Sequence, residues 1–336
     1  MRVVGRHRNL AMLIGLSLLW GASFLFIKVA VRELTPATLI TGRLGLAALT
    51  LALLVPFAVG TGETARQLRA YWPWLVVVAL VNTAIPFWLL SWGETRIDSG
   101  LASIIQASVP IFNALIAFVA FREVRVTGTP LLGVAIGFVG VALLVGAQPE
   151  GKVLGALAVV GMAFCYGVGG LLTGRHLKPV QPVVVAFAST AIATLVWLPV
   201  GVAQAPSQMP GWKTIGSVVA LGIPGTALAY LLFFGLITGA GAAYASLVTY
   251  LIPPIALAYG AVFLDERFGA AAFGGLALIL AGVALGTGAV GSARLRPARL
   301  RAERQHDLEA GAARDNRLVD DVSAVRTSVG SGNREP

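Results

Sequence analysis

The sequence predicts an all-α membrane protein with ten transmembrane helices arranged as two inverted five-helix repeats. Three observations carry that prediction. Of its 336 residues, 57% are hydrophobic and only 12% charged, against about 45–50% and about 25% in a soluble domain; mean hydropathy is +0.83. The apolar residues gather into runs of the length needed to cross a bilayer core, about 20 residues of helix. The two halves of the chain also resemble each other.

In chain order the runs cover roughly 9–31, 36–59, 73–93, 99–121, 127–147, 153–173, 182–204, 213–235, 241–263 and 270–290. The connections are too short to hold a soluble domain. Arg2, Arg6 and Arg8 before the first run imitate a secretory leader, but the run extends to about Val31 with no small-residue cleavage site, so it reads as a retained helix. Residues 291–336 turn to Arg, Asp, Glu, Ser and Gly and read as a disordered cytoplasmic tail. Its basic start, Arg294, Arg296, Arg299, Arg301 and Arg304, reads as a stop-transfer cluster or as an attraction to anionic headgroups.

The net charge of +10 flanks the apolar core instead of striping one face. That favours membrane lipid over nucleic acid as the partner. With the N-terminus in the cytoplasm, Arg66, Arg69, Arg122, Arg125, Arg175 and Lys178 fall on the cytoplasmic side. Only Arg32, Arg96, Lys152, Lys213 and Arg267 fall opposite. This bias predicts both termini inside, in a multi-pass protein of the cytoplasmic membrane. The single cysteine, Cys165, and the three histidines outside the runs give no basis for a metal or cofactor. No histidine or acid lies within a run, which argues against an intramembrane enzyme.

The internal similarity pairs ASIIQASVPIFNALIAFVAFRE from Ala102 with ASLVTYLIPPIALAYGAVFLDE from Ala245, matching Pro110 with Pro253 and Glu123 with Glu266. Gly133 and Gly140 match Gly275 and Gly282, Trp20-Gly21 matches Tyr166-Gly167, and Pro36 matches Pro182. Repeats 9–147 and 153–290 each hold five runs. An odd number obliges the second to enter the membrane in the opposite sense.

LLWGASFLFIKVA, Leu18 to Ala30, resembles the first-helix signature of the EamA group of the drug/metabolite transporter superfamily, and the two paired segments resemble that group's most recognisable stretch. The resemblance spans roughly Asn9 to Gly288. It implies ten helices in inverted repeats and transport, often export, of amino acids, other metabolites or drugs. The small-molecule substrate would then move by alternating access. The motif departs in the second half, where Gly174 stands opposite Lys28 and Ser189 opposite Arg43.

Lys28 and Arg43 are the charged residues inside runs, where charge is costly and faces a cavity or a partner. At 1.5 Å per residue, Lys28 lies about 6 Å from Arg32 and Arg43 about 10 Å beyond Pro36. With Gln106 they are candidates for one anion-binding site, although either stem is long enough to snorkel to the interface. Trp20, Trp88, Tyr166, Tyr230 and Tyr250 are candidate aromatic walls. Pro86, Pro110, Pro253 and Pro254 are candidate helix breaks or gating points, since each frees a carbonyl on the preceding turn. Asn82 and Asn113 read as inter-helix hydrogen-bonding groups. The absence of an embedded acid predicts facilitated or exchange transport, without a carboxylate relay.

Overall fold

The structure, a computed structural model, describes residues 2–120 and 129–286. Every regular element among them is helical. Seven segments are long and apolar enough to cross a membrane: His7–Ala30, Pro36–Ala58, Thr61–Glu94, Ser99–Ile116, Gly151–His176, Pro182–Ala203 and Trp212–Ala240. Three shorter apolar helices, Leu131–Gly146, Val248–Phe263 and Ala270–Leu285, accompany them. The ten runs read from hydropathy fall on these ten segments. Arg122, Glu123, Arg125 and the tail lie outside the described residues.

The elements are α1 (Arg2–Ala30), α2 (Pro36–Ala58), α3 (Thr61–Ala79), α4 (Ile85–Glu94), α5 (Ser99–Gln106), α6 (Val109–Ala120) and α7 (Thr129–Gly146), then α8 (Glu150–His176), α9 (Pro182–Ala203), α10 (Trp212–Gly222), α11 (Ala229–Ala240), α12 (Ala242–Ala245), α13 (Val248–Phe263) and α14 (Ala270–Gly286). Local sequence explains several ends. Thr35 caps α2, its Oγ1 accepting from Thr38 N at 3.3 Å, and Pro36 and Pro182 occupy first positions of α2 and α9, where a missing N–H does no harm.

Third in order in each half is a helix widened in its middle. Leu80–Ala84 joins α3 to α4, and Ile223–Leu228 joins α10 to α11, as π-helical turns. Pro224 lies inside the second, and Pro86 lies two residues after the first. Pro110 follows a break at Ala107–Ser108, between α5 and α6. Pro253 and Pro254 depart from expectation: α13 runs through both without interruption, and the break falls earlier, at Ser246–Leu247. The third run also begins earlier than its hydropathy suggests. Residues 61–72 extend the helix by about three turns, with a Glu63–Arg66 pair at 2.7 Å and Gln67, whose Oε1 accepts from Gln181 N at 2.8 Å.

Helices pack in matched pairs: α2 on α9, α7 on α14, α4 and α6 on α8, and α10, α11 and α13 on α1. The α7–α14 seam brings backbone close to backbone at its glycines. A Cβ on Gly282 would lie 2.6 Å from Gly133 O and from Gly137 N, and one on Gly140 would lie 3.0 Å from Gly275 O. Close approach of this kind is how helices associate where solvent offers no hydrophobic drive.

Candidate functional site

A cavity of about 630 Å³ lies within the bundle. It is lined by α1, α2, α4, α8, α9, α11 and α13, both π turns, and the α5–α6 region. Its lining reaches exposed residues only at one end, at Gly174, Lys178, Pro182 and Thr238. That end is its mouth.

Arg43 enters the cavity from α2 with 6% of its surface exposed. Its Nε donates to Thr226 Oγ1 at 3.0 Å, and its guanidinium lies 4.4 Å from the centroid of the Phe87 ring. Thr226 in turn donates to Leu221 O at 2.8 Å, an acceptor five residues back that the π turn sets free. The Thr226 oxygen is thereby turned towards Arg43. Among the described residues neither Nη group of Arg43 has a hydrogen-bond acceptor or a carboxylate in ion pairing. A buried guanidinium with two unengaged edges presents the planar fork that can bind an oxyanion bidentately.

Gln106, Trp20, Tyr166, Tyr230 and Pro253 line the same cavity as Arg43. The others that the sequence singled out do not. Lys28 neither joins the cavity nor snorkels: its Nζ donates to Glu94 O at 2.7 Å and Ile97 O at 2.6 Å, capping the end of α4. The proposed convergence of Lys28 with Arg43 and Gln106 therefore reduces to the latter two. Trp88 stacks between Trp92 and Trp197, with centroids at 6.0 and 5.7 Å. Tyr250 packs on the hydrophobic core, and Pro86, Pro110 and Pro254 lie outside the lining. Asn82 lines the cavity beside Gly169 instead of bonding to another helix.

Several lining residues were not singled out from sequence. Thr83 and Thr226 occupy equivalent places in the two π turns, yet only Thr226 has a partner; Thr83 Oγ1 is buried without one. The register that pairs Pro110 with Pro253 also pairs these threonines, and that was the available signal. The same register sets Gln106 opposite Thr249, and both line the cavity. Phe24, Phe87, Phe233 and Phe234 extend its aromatic wall.

At the end away from the mouth the bundle is closed. Besides the Lys28 contacts, Glu266 accepts from Ser99 N at 2.7 Å, Ser99 Oγ at 2.9 Å and Gly100 N at 3.0 Å, capping α5 from the far part of the chain. Glu94, which the sequence places at a span end, is wholly enclosed there.

The EamA-like transporter family model matches residues 8–146 and again 153–287. The chain belongs to that family. Among EamA-like relatives, it is 26% identical to an uncharacterized transporter of Archaeoglobus fulgidus, over 79% of this chain and 93% of the relative. It is 28% identical to a probable terminal-alkyne amino-acid exporter of Streptantibioticus cattleyicolor and 26% identical to a probable amino-acid metabolite efflux pump of Escherichia coli. Each of these alignments covers 79% of this chain and 89% of the relative. A crystal structure matches at a TM-score of 0.60 and 20% identity, covering 83% of this chain and 97% of that one, a likeness of fold. The protein is thus a multi-pass membrane transporter of the EamA type.

Proposed function

We propose that the protein is a secondary transporter that moves small organic solutes bearing a carboxylate, amino acids or related metabolites, outward across the cytoplasmic membrane. The observation that carries this reading is Arg43, a buried guanidinium in a cavity lined by aromatic rings, with its Nη groups unengaged. The carboxylate would take the guanidinium fork, and Thr83, Gln106 and Ser189 are within the same lining to meet polar substituents. The relatives described as amino-acid and metabolite exporters support the solute class and the direction.

Ten spans in two inverted repeats, 9–147 and 153–290, with both termini cytoplasmic, suit this reading. The paired packing of α2 with α9 and α7 with α14, and the paired π turns, are what a twofold relation between halves requires. In that orientation the mouth at Lys178 and Thr238 faces the cytoplasm. The structure would then be the inward-open member of an alternating-access pair.

The extent of aromatic lining favours a second reading, export of hydrophobic compounds through the same cavity. Counterflow in proteoliposomes decides between them, with radiolabelled L-phenylalanine, L-threonine and a lipophilic cation as probes. Exchange of an amino acid by wild type that is lost in Arg43→Ala is the expected result. Exchange of amino acids untouched by Arg43→Ala overturns the site. Exchange of the lipophilic cation alone overturns the solute class.

A further inference from the structure

The enclosed end of the bundle holds a group with no function so far. The Glu94 side chain is 0% exposed, and neither of its carboxylate oxygens has a hydrogen-bond partner among the described residues. A permanently ionised carboxylate in such a place is very unfavourable unless it is paired. Lys28 is the near cation, but its ammonium points at the backbone oxygens of Glu94 and Ile97 and makes no ion pair with the carboxylate.

The charged groups that face Glu94 are few. Lys28 approaches from α1, Arg43 from α2, and Glu266 from the segment before α14. Glu266 is already engaged by the first turn of α5. From α8 the surface against Gly93, next to Glu94 on α4, is Gly155, Ala158 and Val159. Arg96 is turned away, 3.5 Å over the Trp92 ring.

We propose that Glu94 is a proton-binding site whose occupancy is linked to anion binding at Arg43, so that protonation of Glu94 strengthens the binding of a carboxylate-bearing solute. The inference rests on the transport reading above. Ionised Glu94 lies in the field of Arg43 and repels an arriving carboxylate. Protonated Glu94 leaves the full charge of Arg43 to the solute. By reciprocity, bound anion favours the proton on Glu94 to the same degree. The proton comes from water when the closed end parts, forms an O–H bond on a Glu94 oxygen, and returns to water when that bond breaks. No other reactant is needed. Glu94 stands at a span end, as its sequence position predicts, but α1, α5 and α8 pack against that end and bury it.

Infrared difference spectra of the protein in lipid vesicles, without solute and with pH stepped from acid to alkaline, test the site directly. A C=O stretch of a protonated carboxyl is expected. It should move when the protein is made with carboxyl-labelled glutamate and vanish in Glu94→Gln. No titrating band in wild type, or one that persists in Glu94→Gln, overturns the proposal. Should Glu94→Gln fail to fold, Glu94→Asp serves: its band must no longer respond to labelled glutamate. In proteoliposomes, wild type should bind L-phenylalanine about tenfold more tightly when Glu94 is protonated than when it is ionised. Glu94→Gln should hold the tighter value at every pH. If L-phenylalanine exchange is intact and its pH dependence survives in Glu94→Gln, the linkage fails while the transport reading stands. If the band behaves as expected and no exchange occurs, the proton site stands and the amino-acid reading fails.

Discussion

Arg43 and Thr226 meet across 183 residues of sequence, the Nε of one donating to the Oγ1 of the other at 3.0 Å. The contact brings a charge from the first half of the chain onto a widened turn of the second. Thr226 fixes the guanidinium at its Nε edge, which leaves both Nη groups facing the cavity. Thr226→Val should therefore weaken carboxylate binding although it removes no charge. A hydrogen bond to an ionised group contributes about 1.5–3 kcal/mol, so KM for a transported carboxylate should rise by roughly 10- to 100-fold. Thr226→Ser should restore it. Counterflow kinetics of the two variants give the comparison.

Thr83 stands at the corresponding place in the other π turn with no partner for its hydroxyl. Because an unsatisfied buried hydroxyl is itself unfavourable, Thr83→Val should leave thermal stability in detergent unchanged or raise it by about 1 kcal/mol. A solute that uses this hydroxyl should bind less well to the same variant. A loss of stability together with unchanged binding would assign Thr83 to packing alone.

Lys28→Met removes the donor that satisfies Glu94 O and Ile97 O. Buried acceptors without donors lose about 1–3 kcal/mol each, so the variant should melt at a clearly lower temperature. Unlike Arg43→Ala, it should retain preference for carboxylates among the solutes exchanged.

Glu266→Gln weakens the cap on α5, where the carboxylate takes two backbone N–H groups and a hydroxyl. Losing a helix cap removes about 0.5–2 kcal/mol of stability. Hydrogen exchange at Ser99 and Gly100 should quicken before that of the α2 and α9 amides, a local effect that mass spectrometry resolves.

Much of this arrangement was legible in the sequence. Apolar runs gave the positions of the helices because length and hydropathy alone set what can cross a bilayer. Arg43 stood out because a charge inside such a run must face something polar. Lys28 looked equivalent by the same rule. Its actual acceptors are carbonyls at the end of α4, and only the fold brings them to α1. The π turns were hidden, since one extra residue per turn hardly alters the periodicity of an apolar run. Pro253 and Pro254 misled for a related reason: in a packed helix neighbours absorb the lost hydrogen bond, so two prolines do not locate a break. Glu94 was read correctly as lying at a span end. Its burial depends on three other helices, and no local pattern encodes that.

The seam between α7 and α14 has a mechanical consequence. Where Gly133 O and Gly137 N lie against Gly282, no side chain stands between the two backbones to bend out of the way. Sliding one helix past the other there would drive peptide groups into collision. The contact resists shear and suits a fulcrum, holding the last helix of each half at a fixed distance from the other.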